Sequence, residues 1–245
     1  MYRCKIVGSL VVGCLILGAF SSPARAEDNG VIKGKVVFKG DKAKYARQTL
    51  DTSKDPNCKK SVEKIGSEDV VLNTKTDPIT VRNVLVQIKE GVPEKKYPVP
   101  STPAVIDQHG CQYKPHVLAM MEGQQLEIRN SDDTNHNIHF LPKKNQEYNK
   151  SQPKKDMKDE IKLVAEAPFQ VKCDVHPWMG AQIAVFNHPF FAVTGEDGAF
   201  EIKGLPAGKY VVAAWHENAA FGTLTMNVEV ASGATVEKDF TYETK

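Results

Sequence analysis

From residue 30 onward, apolar residues recur at alternate positions in short runs separated by turn residues, the pattern of half-buried β-strands. Residues 30–40 read GVIKGKVVFKG, a strand bounded by glycines, and residues 81–89 send Val84, Val86 and Ile88 to one side. Two further strand-like runs, 169–172 and 182–185, flank a short loop. Toward the C-terminus, Thr194-Gly-Glu-Asp-Gly198 is a turn signal before a short strand at 199–202, and Leu205-Pro-Ala-Gly208 turns into 209–215. Leu224, Met226, Val228 and Val230 then alternate, and 235–242 closes the series. The fold class predicted is all-β.

The intervening stretches are of three kinds. Residues 41–78 are polar, lack periodicity and hold Cys58, so a long surface excursion is predicted. Residues 90–103 are rich in proline and read as a linker. Residues 142–160 are densely charged and are predicted to be a solvated loop. At the N-terminus, Arg3 and Lys5 precede an apolar run over 6–20 and then Ala24-Arg25-Ala26, as in a secretory signal peptide cleaved after Ala26. Val11-Val-Gly-Cys14 is a faint lipoprotein box, but the apolar run continues past Cys14, where lipidation would end it. The expected location is periplasmic or secreted, with no stable membrane span after cleavage.

Charge and cysteine content change meaning once that leader is set aside. The whole chain carries a net +2, but the leader holds three basic residues and no acidic one, so the remainder is slightly negative. Nothing suggests a nucleic-acid partner. Cys4 and Cys14 belong to the leader, leaving Cys58, Cys111 and Cys173, an odd number for an oxidising compartment. Metal ligation by Cys173 accounts for the odd one. Cys58 and Cys111 are then available for a disulfide worth about 4 kcal/mol by chain entropy; two buried free thiols are the alternative.

Candidate chemistry concentrates in Cys173-Asp174-Val175-His176-Pro177-Trp178-Met179. Thiolate and thioether are soft donors and imidazole is borderline, a set suited to copper rather than to magnesium, calcium or manganese. A trigonal copper site also needs a second imidazole. Upstream, Asn130-Ser-Asp132-Asp133-Thr134-Asn135-His136-Asn137-Ile138-His139-Phe140 is a polar turn entering a strand with two histidines.

The segments His136-Asn-Ile-His-Phe140 and Cys173-Asp-Val-His-Pro-Trp-Met179 resemble the two copper-binding segments of the cupredoxins, in their amicyanin-like form. The likeness spans roughly residues 104–187. It implies one type 1 copper, with His136, Cys173 and His176 as equatorial ligands and Met179 as the axial one. His136 and His139 are an odd number apart in a strand and face opposite sides, which agrees with a single ligand from that pair. By the same resemblance, Asn137 would bond to the Cys173 loop, and an exposed edge of His176 beside Pro177 and Trp178 would pass electrons.

Residues 193–210 resemble the carboxypeptidase regulatory-like domain, a small prealbumin-type sandwich whose first strands would be those near 31–39 and 84–88. The predicted layout is a signal peptide (1–26), a first part of that sandwich (27–100), a cupredoxin-like domain (101–189) and the rest of the sandwich (190–245). Three sequential units would leave the first with only two clear strands.

Four ligands leave no open position for a substrate, so electron transfer without enzymatic activity is expected. The partner would be a redox protein such as a periplasmic cytochrome or dehydrogenase. A non-redox copper-holding, delivery or surface-interaction protein is the alternative. A zinc half-site lacks a second cysteine pair, and a Cys/His nucleophile lacks a legible oxyanion device. His109, His116, His139, His188 and His216 read as structural or surface residues. Trp215-His216-Glu217 is placed to approach the copper module without making a metal site by itself.

Overall fold

The computed structural model describes Met1 and residues 29–61 and 65–244. The expected signal peptide, Met1 apart, and the Cys14 box lie outside the described residues. The architecture is all-β and consists of two packed sandwiches. Strands β1 (Gly30–Lys39), β2 (Leu72–Asn73), β3 (Thr80–Val81) and β4 (Leu85–Glu90) begin the first. The chain then leaves it for β5 (Ala104–Gln108), β6 (Tyr113–Lys114), β7 (Val117–Met121), β8 (Gln125–Asn130), β9 (His136–Leu141), β10 (Asn149–Gln152), β11 (Met157–Lys162), β12 (Glu166–Lys172) and β13 (Gly180–Phe186). It returns through β14 (Phe191–Val193), β15 (Ala199–Leu205), β16 (Gly208–Trp215), β17 (Thr223–Val230), β18 (Thr235–Glu237) and β19 (Phe240–Glu243).

In the first sandwich, one sheet runs β15-β1-β3-β2, with β18 and β19 parallel to successive halves of β1, and the other runs β14-β4-β16-β17. Their inner faces bury Ile32, Val36 and Phe38 of β1 against Val86, Ile88, Val212 and Tyr210. In the second, β10-β9-β12-β13-β7 packs on β11-β8-β5-β6, burying Ile138, Phe140, Val171 and Ile183 against Ile106, Leu126 and Ile128.

The alternation in β4 and β13 breaks down for one reason. Val84, Val86 and Ile88 face their own core, while Leu85 turns outward into a small cluster with Val117, Ala184 and Phe186. In β13, Ile183 and Val185 face the second core as Ala184 and Phe186 face the first sandwich. A strand buried on both faces reads as a continuous apolar run. Each large apolar side chain so buried stabilises by about 1.5–3 kcal/mol.

Residues 142–160 are not simply a solvated loop. They contain β10 and the first part of β11, strands at the outer edges of the two sheets. Met157, Asp159 and Ile161 are partly covered while Lys158, Glu160 and Lys162 are exposed. The period-2 signal is carried largely by charged residues, the usual protection of an edge strand against pairing with another chain.

The polar excursion after β1 folds across the end of the second sandwich. It contains the short helix α1 (Pro56–Ser61), and Cys58 forms a disulfide with Cys111. Arg47 donates to the carbonyls of Ser67 and Gly66, drawing the two limbs of the excursion together.

Candidate metal centre

Three elements bring the candidate ligands together. His136 opens β9, and Cys173 follows β12, which pairs with β9 through Lys172 opposite His139. The loop 173–179 then turns back into β13. Met179 closes this turn: its N–H donates to the His176 carbonyl (2.9 Å) and its carbonyl accepts from the Cys173 N–H (3.3 Å). Asp174 N–H donates to Asn137 Oδ1 at 3.0 Å, joining the loop to β9 through the residue expected to do so. Tyr113, fully buried, donates its hydroxyl to the Asn137 carbonyl beneath them.

His136, Cys173 and His176 converge, each offering an atom within 4.8 Å of the other two. The Nδ1 atoms of the two histidines lie 3.0 Å apart, and Cys173 Sγ lies 3.9 Å from His176 Nδ1. Nitrogen and sulfur donors at about 2.0 and 2.3 Å from one metal are separated by roughly 3.2–3.9 Å, a range that holds the sulfur–nitrogen spacing and that the nitrogen–nitrogen spacing falls just short of. Met179 is buried in the same apolar cluster as Cys173. His139 points away, its Nδ1 against Asp174 and its Nε2 against Glu147.

The far side of each imidazole is occupied by a carboxylate. His136 Nε2 lies 2.9 Å from Asp132 Oδ2, and His176 Nε2 lies 3.0 Å from Asp55 Oδ2. Burial opposes charge on Asp55, but bonds from Cys58 N–H, His176, Thr134 and Asn57 N–H outweigh it and hold the carboxyl at about 2. Burial likewise opposes ionisation of Cys173, yet the two histidines and neighbouring backbone amides bring the thiol down to about 6. Both histidines are pushed above the ordinary imidazole range, burial being outweighed by carboxylate and thiolate. A thiolate near neutral pH is the form that binds metal.

The exposed His176 edge expected from the loop is not found: His176 is 2% exposed. The excursion lies over it, placing Asp55 on its Nε2 and Cys58 Sγ 3.9 Å from the same atom. Trp178 covers the ring, with centroids 4.8 Å apart, and donates its indole N–H to the Cys111 carbonyl. On another side of the loop, Cys173, Pro177, Trp178 and Met179 help line a cavity of about 580 Å³ that also meets His116 and Glu217.

Asp55 and Asp132 were not singled out from sequence. Asp132 lies four residues before His136 in a polar turn, a weak signal; Asp55 lies 121 positions from the histidine it meets.

Glu217 does reach the second sandwich, where it contacts His116 Nε2 and accepts from Gln182 Nε2 at 2.9 Å. His116 Nδ1–H donates to the Gly180 carbonyl at 3.0 Å. Burial disfavours its charge, but Glu217 and then Glu68 raise its pKa above 6.5; burial of Glu217 is likewise outweighed by His116, lowering its pKa below 4.5. The His116 contribution is full below about 6.5 and is lost as pH rises through its raised folded value. The Glu217 contribution is full above about 4.5 and is lost as pH falls through its lowered one. The wild type should therefore exceed Glu217→Gln by about 2 kcal/mol near pH 5.5, with the gap narrowing in alkali. Denaturant midpoints from pH 4 to 9 check this; a flat difference would mean the pair is not ionised. His216, which burial lowers to about 4, stays neutral with Nδ1 accepting from Asn218 N–H.

No family profile and no curated protein matches the sequence. Solved structures with partial likeness include a Cu-containing nitrite reductase (NirK) from Thermus scotoductus SA-01, at 20% identity and TM-score 0.31, over 39% of this chain and 25% of that one. A purple cupredoxin from Nitrosopumilus maritimus is 20% identical with TM-score 0.30, over 34% of this chain and 98% of that one. A methionine-to-alanine mutant of amicyanin in its Cu(I) form is 20% identical with TM-score 0.31, over 41% of this chain and 97% of that one. The chain thus spans only a quarter of the nitrite reductase, and these likenesses assign no residue a role.

Proposed function

We propose that this chain is a periplasmic or secreted type 1 copper protein, acting in electron transfer, that holds one copper through His136, Cys173, His176 and Met179. The observation that carries the reading is the convergence of two imidazole Nδ1 atoms and one thiol, with both Nε2 atoms engaged by carboxylates. A neutral imidazole that donates Nε2–H to a carboxylate presents a bare lone pair at Nδ1. Two Nδ1 atoms 3.0 Å apart beside a thiol share a proton in one state and are bridged by a metal ion in the other, so metal binding displaces that proton. The soft sulfur favours copper over harder ions.

When bound, copper supplies a one-electron couple. The protein holds the donors on two paired strands and one tight turn, which leaves them little room to move between oxidation states. Burial of His136, Cys173 and His176 keeps bulk water away. The reading includes no catalytic role for the chain and a protein partner for the electron.

The test is the visible spectrum of the oxidised, copper-loaded chain beside Cys173→Ala. An intense thiolate-to-copper band, bleached by reductant and missing from the variant, is expected. Weak ligand-field colour alone would sink the carrier reading. The covered edge of His176 favours one second reading, a protein that holds copper without exchanging electrons. In that case the band forms but electron exchange between oxidised and reduced protein is slow.

A further inference from the structure

The excursion between β1 and β2 is more than a surface loop, because its most constrained side chain meets the metal centre. Asp55 Oδ1 accepts from the amides of Asn57 (2.7 Å) and Cys58 (3.0 Å) at the start of α1. Its Oδ2 accepts from the Thr134 hydroxyl (3.0 Å) and faces His176 Nε2 (3.0 Å). Both oxygens are thus committed, and the carboxylate cannot rotate without breaking several bonds. The opposite cradle repeats the device: Asp132 accepts from Gly110 N–H (2.8 Å) and Cys111 N–H (2.7 Å) and faces His136 Nε2. Cys58 belongs to the first cradle and Cys111 to the second, so the disulfide joins the two. Asn57 Nδ2 adds a bond to the Asp133 carbonyl at 3.1 Å.

We propose that Asp55 is a positioning residue of the metal centre, paired with Asp132, and that the disulfide-joined cradles clamp both imidazoles from their Nε2 side. This rests on the copper reading above. The clamp fixes the tautomer and the ring orientation of each histidine and strengthens Nδ1 as a donor. A stronger donor stabilises the more highly charged oxidation state, so the clamp favours Cu(II) over Cu(I).

Asn serves as well as Asp at a helix N-cap. Asp55→Asn therefore keeps the start of α1 while removing the charge that faces His176. The experiment compares the full chain and Asp55→Asn, each copper-loaded, by redox titration of the visible band, by competition with Cu(II) and Cu(I) chelators, and by thermal melting. Expected are Cu(II) affinity about 10- to 100-fold weaker, a smaller change for Cu(I), and a higher reduction potential. A variant with unchanged affinities and potential, or one that only melts earlier, would overturn the proposal. Failure of the copper reading looks different: the unaltered chain then shows no thiolate band at all.

Discussion

Copper loading is expected to stabilise the fold by about 4 kcal/mol when free Cu(II) stands a thousandfold above its dissociation constant. Hydrophobic burial in the second sandwich holds β9 and the 173–179 loop together, so the folded chain presents the three donors as one set. The unfolded chain does not hold His136 and His176 near each other, because 40 residues separate them. Binding therefore acts on the folded state, and its free energy adds to folding. For a chain of this size, about 4 kcal/mol corresponds to roughly 8–16 °C in Tm. Melting chelator-treated and copper-loaded protein side by side reads this directly, and His136→Ala should erase most of the shift. Coincident melts of the stripped and loaded forms would mean that no metal is held tightly.

The all-β class and the grouping of Cys173 with His176 were legible because both are local in sequence, whereas His136 was joined to them by the resemblance of the two segments. Alternation over five to ten residues marks a strand, and three of the four candidate ligands fall in one seven-residue loop. The choice of His136 came from the resemblance, strand geometry allowing only one of His136 and His139 to reach a metal, and the structure buries the first while leaving the second against Asp174 and Glu147. What could not be read was non-local. Asp55 sits in a stretch without periodicity, and its meeting with His176 is created by the path of the excursion and the Cys58–Cys111 bond. For the same reason the expectation of an open His176 edge failed. The motif describes the loop, while the cover comes from a segment more than a hundred residues earlier. β11 escaped notice because its exposed lysines and glutamate hide the alternation, and β10 because its NKSQ run is polar throughout and buries only Gln152.

Replacing Cys58 and Cys111 together by serine is expected to cost about 4 kcal/mol, since the bond closes a loop of 53 residues and restricts the unfolded chain accordingly. Both sulfurs are buried, so serine also places two hydroxyls where apolar contacts stood. The folded excursion keeps other anchors, notably Arg47 on the carbonyls of Ser67 and Gly66 and Asn57 on the Asp133 carbonyl. Loss is therefore expected in the denaturant midpoint rather than in the fold itself. The two cradles should respond unequally. Asp132 stays close in sequence to His136 and keeps the backbone amides of Gly110 and Cys111, whereas Asp55 reaches His176 only through the tethered segment. The serine variant should therefore move toward the Asp55→Asn phenotype, with weaker Cu(II) binding and a raised potential, while retaining the thiolate band through Cys173. A stability loss below about 1 kcal/mol would show that the excursion is held by its polar contacts alone. A full loss with an unchanged potential would confine the disulfide to stability and leave the orientation of His176 to Trp178 and the turn closed by Met179.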